Sequence, residues 1–332
     1  MSRRLLAGSY SLAAVLALSA GQLLAPTAAR ANCGSESVCP IDQPATHAGA
    51  RFLFDVSQLY IDQDQPRVGT DDAFVGAIAG HHDEVRTVNR VTNFRLTFRT
   101  APDWTFGANL PYIHRTHEHI HHHMGEDHYE RWNYDGLGDV ELSASRLIGA
   151  GNGPRFRVGL GVKAPTGKQT PALSEGGDEL EPSARIGSGS WDLLASLGAE
   201  WNLRAPGRGA EARMPVRATV IGRYNGSGAE DFRHGAEAQV HLGADYPLAR
   251  RLALLVQTNY RLRAKNDVGD ADDEETANSG SGVVYVTPGL RFDAIEGFSI
   301  YGLAQVPVYE RVNGIQVVAR SNLVLGISRS IF

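Results

Sequence analysis

The sequence predicts an all-β fold, a transmembrane antiparallel up-and-down β-barrel of about twelve strands. Three observations support this fold: runs in which every second residue is apolar, charged residues on the opposite face of the same runs, and connections that differ in length. A period of two is the period of a β-strand, so each run places its apolar side chains on one face. Membrane barrels turn such a face to lipid and point the polar face into the lumen.

The stretch from Tyr134 to Lys168 shows the alternation well. Its two halves are joined by a short connection at Gly149–Pro154, which predicts a β-hairpin. A soluble sandwich would bury the apolar face of this hairpin against a second sheet, whereas a membrane barrel would expose that face to lipid. The polar faces carry opposite charges on the two strands and favour the barrel: Asp139 and Glu141 on the first, Arg155, Arg157 and Lys163 on the second.

Twelve runs of this kind follow one another along the chain. The predicted strands are 51–62, 85–100, 103–117, 135–148, 155–166, 189–202, 213–225, 234–246, 251–265, 281–293, 298–310 and 316–332. Short connections, as at 101–103 and 294–297, alternate with longer ones that include 63–84, 118–134, 167–188 and 266–280. Short turns at one end, long loops at the other and an even strand number are typical of outer-membrane barrels, with both termini in the periplasm.

The N-terminus has the layout of a cleaved export signal. Arg3 and Arg4 precede an apolar run, Leu12–Leu18, and a small-residue site ends at Ala31. We therefore expect a signal peptide at 1–31, a periplasmic leader at 32–49 and the barrel at 50–332. The export signal and the predicted barrel together indicate the bacterial outer membrane. A helical inner-membrane protein is not expected, because no other segment has the 18 or more consecutive apolar residues of a membrane helix.

Charge and the chain end indicate the partners. Removal of three signal-peptide arginines leaves 29 basic and 37 acidic residues, a net charge of −8, which argues against nucleic acid as a partner. The last run, Ser321–Phe332, alternates and ends in an aromatic residue, as barrels recognised by the barrel assembly machinery do. Outer-membrane lipid, lipopolysaccharide and a small-molecule solute are the remaining expected partners.

Cys33 and Cys39 are the only cysteines, and both lie in the predicted leader. In an oxidising periplasm a local disulfide is the plain interpretation. A thiolate metal site is the alternative, although the spacing is not C-x-x-C.

A histidine-rich tract at 114–128 is the densest chemical signal. Imidazole is a common ligand of Zn, Cu and Ni, so a transition metal is the one cofactor that the sequence suggests, and none is required for the fold. The candidate ligands are His117, His119, His121, His122, His123 and His128. The alternative is a solvated extracellular loop that binds metal only adventitiously.

No enzyme is predicted. The segment His117–His121 formally matches the H-E-x-x-H signature of zinc proteases, but that chemistry needs a helix. On a strand, at about 3.3 Å per residue, the two histidines would lie ~13 Å apart, too far to share one ion.

The polar faces of the predicted strands define a candidate lumen. Eight strands are just filled by side chains and sixteen leave an open channel, so twelve strands imply a narrow, partly filled pore. Carboxylates in the predicted outer loops, as at 267–275, would concentrate cations or bind divalent ions that bridge lipopolysaccharide. The predicted lumen-lining residues are Asp139, Glu141, Arg155, Arg157, Lys163, Asp192, Glu200, Arg217, Arg223, Glu237, His241, Arg261 and Arg263.

Four short strings resemble a known family: NLPYIHR at 109–115, GLGDVELSASRL at 136–147, GVKAPTGK at 161–168 and GSGSWDLLASLG at 187–198. They are similar to the outer-membrane β-barrel family of phenol-degradation meta-pathway proteins, whose members are described as transporters. The resemblance covers about residues 50–332 and implies a barrel that takes up small, aromatic molecules.

These observations lead to two functional hypotheses. The first is an outer-membrane channel, a transporter for passive, selective passage of small solutes such as aromatic compounds or cations. The alternative is a non-conducting barrel that binds a transition metal through the histidine-rich tract. Liposome swelling tests the first hypothesis, and metal titration tests the second.

Overall fold

The computed structural model describes residues 51–77, 83–100, 103–123, 126–149, 154–268 and 276–331. These residues form a closed antiparallel barrel, because the last strand pairs with the first from Phe52 opposite Ile331 to Val68 opposite Ile315. The predicted signal peptide, the leader with Cys33 and Cys39, and Phe332 lie outside the described residues.

Fourteen β-segments occur in the described ranges. In chain order they are β1 (Phe52–Val68), β2 (Asp71–Asp72), β3 (Asp83–Arg99), β4 (Trp104–His123), β5 (Glu126–Leu137), β6 (Val140–Ile148), β7 (Arg155–Ala164), β8 (Asp192–Arg204), β9 (Arg213–Asn225), β10 (Glu237–Ala249), β11 (Leu252–Arg263), β12 (Ser281–Ile295), β13 (Phe298–Val312) and β14 (Ile315–Ile331). Two short 3₁₀ turns, Pro182–Ala184 and Ala229–Asp231, lie in the connections.

The barrel has twelve strands, as the sequence predicted. The two-residue β2 extends the β1 hairpin, and β5 and β6 are one barrel strand interrupted at Gly138 and Asp139. The extracellular half of β4 pairs with β5, and the periplasmic half of β4 pairs with β6. Every other strand pairs with its neighbours in sequence order, so the barrel is up-and-down.

The outward face is apolar because the two-residue alternation is kept along the strands. On β14 the exposed apolar side chains are Leu323, Leu325, Ile327 and Ile331, and the buried ones between them face the interior. Trp104 and Trp191 are also exposed, near opposite ends of the barrel wall, where an aromatic girdle is expected. None of the helices in the described ranges has the length and the apolar composition needed to span a bilayer.

The interior has two unlike walls. On one side, between β1, β11, β13 and β14, an apolar cluster lies among buried polar residues such as Asp55, Asn259 and Gln305, whereas charged and small side chains cover the side from β4 to β10. The apolar cluster consists of Leu59, Ile61, Leu255, Tyr301, Leu303 and Val324, all with less than a tenth of their surface exposed.

Several predicted boundaries were wrong. The predicted loop 118–134 is mostly strand, since β4 continues to His123 and β5 begins at Glu126. The predicted strand 189–202 begins only at Asp192. Beyond the membrane both faces of a strand can be polar, so the hydrophobic alternation that identifies strands is lost there.

Candidate functional site

The thirteen residues predicted to line the lumen all lie on the inward side of the barrel wall. Twelve are in strands, on the face opposite the exposed apolar side chains. The thirteenth, Asp139, lies in the gap between β5 and β6 and is buried. Their role in solute passage stays a prediction.

A buried ammonium group lies in the outer half of this wall. The Nζ atom of Lys163 is 3.2 Å from an oxygen of Asp139 and 2.8 Å from an oxygen of Asp192. It also donates a hydrogen bond to Ser188, which donates in turn to Asp139 over 2.7 Å. Buried charges are tolerated when they are paired and hydrogen-bonded in this way.

Two further ion pairs continue the outer half of the wall. Arg223 contacts Glu141 directly and lies 4.0 Å from Asp192. On the neighbouring strands, the Nε atom of Arg261 is 3.2 Å from a carboxylate oxygen of Glu237. Opposite charges on adjacent strands therefore neutralise much of the outer lumen.

His241 has neutral hydrogen-bonding neighbours. Its two ring nitrogens lie 3.1 Å from Gln239 Oε1 and 2.8 Å from Asn259 Nδ2. These bonds fix the ring within the polar inner face of β10 and β11.

The periplasmic half of the wall is rich in arginine. Both oxygens of Glu200 are used, one 3.1 Å from Arg155 and the other 3.0 Å from Arg157. Further round the barrel, Asp245 contacts Arg217 over 2.9 Å and Arg291 over 2.8 Å.

Residues 165–191, named here the mouth loop, fold into the outer opening of the barrel. Leu180, Ala184 and Ile186 are buried against Trp132 and Tyr134, which project from the inner face of β5. The Trp132 indole donates to the Asp178 carbonyl over 3.1 Å, and the Tyr134 hydroxyl donates to the Ala184 carbonyl over 2.6 Å. Apolar burial and hydrogen bonds together hold this loop inside the mouth.

Arg115 anchors the same loop from β4. Its side chain has 1% of its surface exposed, donates to the Ala184 carbonyl and also donates to Asn89 Oδ1 over 2.6 Å. A guanidinium at this depth is stabilised because it has several oxygen partners.

The motifs that carry the family resemblance meet at the base of the mouth loop. Asp139 accepts hydrogen bonds from the backbone amides of Gly167 over 2.8 Å and Ser188 over 3.0 Å. A Cβ atom on Gly187 would lie 2.6 Å from the Gly167 carbonyl carbon, and one on Gly167 would lie 2.8 Å from that of Gly138. The three segments therefore approach closely because glycine has no side chain.

The described part of the histidine-rich tract lies in two strands, the end of β4 and the start of β5, and not in an exposed loop, which corrects one expectation. His117 and His119 lie on the buried inner face of β4, and His117 Nδ1 is 2.8 Å from Thr87 Oγ1. His128 is exposed on β5, directly opposite His121 in the strand pairing. The extended geometry also excludes the helical arrangement of a zinc protease for His117 and His121.

Metal binding by this tract stays a prediction. The side chains of His121, His122 and His123 lie outside the described part of the chain, as do Cys33 and Cys39. Among the side chains that are described, no group of three or more His, Cys, Asp or Glu residues is arranged to hold a metal ion.

Glu130 lies where the β4–β5 hairpin continues past the membrane. Glu130 pairs with His119, which lies fifteen positions beyond Trp104 along β4. A tilted strand crosses the bilayer in about ten residues, so both residues lie outside the membrane. Burial, followed by a hydrogen bond to Asp178 and the negative charge of that group, raises the pKa of Glu130 to about 7. Glu130 on the hairpin therefore faces the carboxyl group of Asp178 on the mouth loop.

Sequence reasoning missed Arg115, Trp132 and Tyr134, which hold the mouth loop. Their residue types gave no separate signal, because polar and aromatic residues also occur in solvated loops. The two-residue spacing of Trp132 and Tyr134 on β5 was the one available sign that both point to the same side.

Solved structures with a similar fold are outer-membrane barrels. The crystal structure of the COG4313 outer membrane channel from Pseudomonas putida F1 has 13% sequence identity and a TM-score of 0.63, over 88% of this chain and 99% of that one. This likeness confirms the barrel fold.

Two further structures are more distant. The transport unit of the autotransporter AIDA-I from Escherichia coli has 11% identity and a TM-score of 0.45, over 88% of this chain and 94% of that one. A Pseudomonas aeruginosa FadL homologue has 9% identity and a TM-score of 0.42, over 84% of this chain and 89% of that one.

No curated protein matches this chain. The family described as "Putative MetA-pathway of phenol degradation" matches residues 89–311, from β3 to β13, which is more than half of the chain. The resemblance carried by the four sequence strings is therefore confirmed, and the chain belongs to this family.

Proposed function

We propose that this protein is a channel of the bacterial outer membrane that allows passive, selective passage of small solutes. Apolar residues face outwards around a closed barrel, while charged residues face inwards. The similarity of the fold to an outer membrane channel supports the same function.

The main support for this proposal is that solvent reaches a strip of the inner wall, from the periplasmic end to the outer half of the barrel. At the periplasmic end Arg155 and Glu200 keep 38% and 25% of their side-chain surfaces exposed. Ser143, on the inner face of β6, is exposed at mid-height, and Glu141 above it keeps 31%. The strip is water-accessible because Gly107 and Gly161, its neighbours in the strand pairing, have no side chains.

The opposite wall restricts the width of this path. Leu255 is fully buried there, and Asn322 donates to Gln305 over 2.8 Å in an equally buried amide pair. The path is therefore eccentric and narrow, which favours small solutes over large ones.

The test is conductance of the purified protein in planar bilayers, combined with swelling of liposomes in a panel of aromatic and ionic solutes. Ser143→Trp places a large ring in the strip and should lower the conductance by about half or more, because a partly filled pore has little spare width. Leu142→Trp is the matched control, since the neighbouring residue is exposed on the outer face.

Two results would overturn the proposal. The first is absence of conductance and of swelling in protein that is shown to be folded. The second is an equal effect of Ser143→Trp and Leu142→Trp, because the strip would then not be the path.

A metal-binding barrel is the second candidate, and the pairing of His121 with His128 favours it. Residues directly opposite on antiparallel strands have Cβ atoms about 5 Å apart, a spacing at which a pair of histidines can bind one transition-metal ion. Calorimetric titration with zinc, copper and nickel should show micromolar or tighter binding that is lost in the double His121→Ala, His128→Ala variant. His114→Ala, which alters the opposite face of β4, is the control. Unchanged binding in the double variant contradicts this candidate.

A further inference from the structure

Three guanidinium groups lie together on the inner wall at the periplasmic end. Arg155 and Arg157 project from β7, and Arg99 ends β3. In the strand pairing Arg99 is opposite Thr105, and Thr105 is opposite Ser145. The Nη1 atom of Arg157 reaches across to the same two hydroxyls, over 3.2 Å to Thr105 and 3.3 Å to Ser145.

The positive charge of this group is not neutralised. Within the described residues, the charged groups that act on Arg99 are Arg157, Glu200 and Arg155. Glu200 is the one carboxylate among these three groups. Both of its oxygens already accept hydrogen bonds from Arg155 and Arg157. Three positive charges and one negative charge leave a net charge of +2 at this part of the wall.

The neighbouring ion pairs do not supply the missing negative charge. Arg217 and Arg291 share Asp245, and Arg291 also lies 3.2 Å from Asp293. These two cations and two anions balance one another, so the excess at the arginine group remains.

The wall above the group is lined by small residues. Gly159 lies two residues along β7 from Arg157, on the same face, and has no side chain. Its partners in the strand pairing are the small residues Ser145 and Ser196. Arg155 and Arg157 keep 38% and 28% of their side-chain surfaces exposed. Arg99 is also partly exposed. A small ligand in the lumen can therefore reach all three side chains.

We propose that Arg99, Arg155 and Arg157 form a binding site for small oxyanions at the periplasmic end of the lumen. The guanidinium fork matches carboxylate and phosphate oxygens, and a bound oxyanion would offset the excess positive charge. The site rests on the proposed channel function and adds a solute class to it: a molecule with a carboxylate or phosphate group.

Inorganic phosphate is the probe. Wild-type channels in a potassium chloride gradient should pass chloride in preference to potassium, and added phosphate should reduce the chloride current. Arg99→Gln should lower the chloride-to-potassium permeability ratio by about three- to tenfold, since tenfold corresponds to about 1.4 kcal/mol for one lost charge. It should raise the half-blocking phosphate concentration by a similar factor.

Arg146→Gln is the matched control. Arg146 lies at the same end of the barrel, opposite Trp104, and stacks over that ring on the outer face. The control removes the same charge outside the lumen and should leave both quantities unchanged. Arg99 is a suitable site for substitution because none of the inner-wall ion pairs described above uses its side chain.

Calorimetric phosphate binding to the detergent-solubilised protein separates the two proposals. Binding that weakens in Arg99→Gln and not in Arg146→Gln supports the site even in a barrel that fails to conduct. Potassium selectivity of the wild type, or equal phosphate binding by wild type and Arg99→Gln, overturns the site while leaving a conducting channel intact.

Discussion

Asp139 contacts several separate segments of the chain through its carboxylate. It accepts from two backbone amides and from the Ser188 hydroxyl, and it is an ion-pair partner of Lys163. The residue lies where β5 ends and β6 has not yet begun. One carboxylate thus joins the barrel wall to the mouth loop.

Asp139→Asn should release the mouth loop. An amide keeps the size of the carboxylate but brings an NH₂ group towards donors that need an acceptor, and truncating one partner of a buried charge pair costs about 3–5 kcal/mol. We expect lower stability in urea and a larger single-channel conductance. Asp135→Asn, an exposed residue on the outer face of the same strand, is the control. Unchanged conductance of a correctly folded Asp139→Asn variant would contradict this role.

At the scale of elements, the mouth loop is the part of the molecule that covers the outer opening. It is held at its base by glycine packing, in its middle by apolar burial against β5, and beyond the membrane by the Glu130–Asp178 carboxyl pair. Each contact can be altered separately.

Gly187→Ala tests the glycine packing. The new methyl group would lie 2.6 Å from the Gly167 carbonyl carbon, so backbone must move apart. Forcing a methyl group into a packed site costs about 1–3 kcal/mol, and we expect faster proteolysis within 165–191 together with higher conductance. Gly222→Ala is the control, since nothing lies within 4 Å of a Cβ atom there. Proteolysis at the wild-type rate would show that the loop does not depend on this contact.

The carboxyl pair makes loop docking depend on pH. The pKa of Glu130 is raised from 4.5 to about 7 in the docked loop, so the stabilisation is complete below about 4.5 and is lost as the pH rises through about 7. His119 lies opposite Glu130 and Glu84 lies opposite His119, so both can modify the midpoint.

We therefore expect conductance to increase between pH 5 and pH 8. Glu130→Gln, which resembles the protonated form, should remove most of this increase, because each pKa unit corresponds to about 1.4 kcal/mol. Glu126→Gln, at the exposed tip of the hairpin, should keep it. A pH profile that is unchanged by Glu130→Gln would be incompatible with this mechanism.

At the scale of the whole molecule, closure of the sheet leaves no free edge. The pairing of β1 with β14 satisfies the backbone hydrogen-bonding groups at the point where an open sheet would expose them. The interior adds an apolar cluster among buried polar residues on one side and ion pairs on the other. Stability is therefore spread over the entire circumference.

A closed barrel of this kind should resist dodecyl sulfate until it is heated. We expect the unheated protein to migrate faster than the boiled protein in a gel, because the folded barrel is compact. The boiled sample, fully unfolded, is the internal reference. Identical mobility of the two samples, or free solubility without detergent, would contradict the membrane barrel.

The sequence by itself determined the twelve strands, their inward and outward faces and the family. Alternation with a period of two is a local property of the backbone, so it placed Asp139, Glu141 and Arg157 on the inner side without any knowledge of their neighbours. The same alternation along β4 puts His117 and His119 on the inner side, although the chain from residue 118 was expected to be a loop.

Only the tertiary structure decided which inner residues meet and which of them stay accessible to solvent. Arg99 and Arg157 are separated by 58 positions, and Arg115 and the Ala184 carbonyl by 69, yet barrel curvature and strand register bring each pair together. Periodicity along one strand contains no information about the register of strands further round the barrel. The arginine group, the contacts of the mouth loop and the proposed path therefore depend on how the closed sheet brings distant strands together.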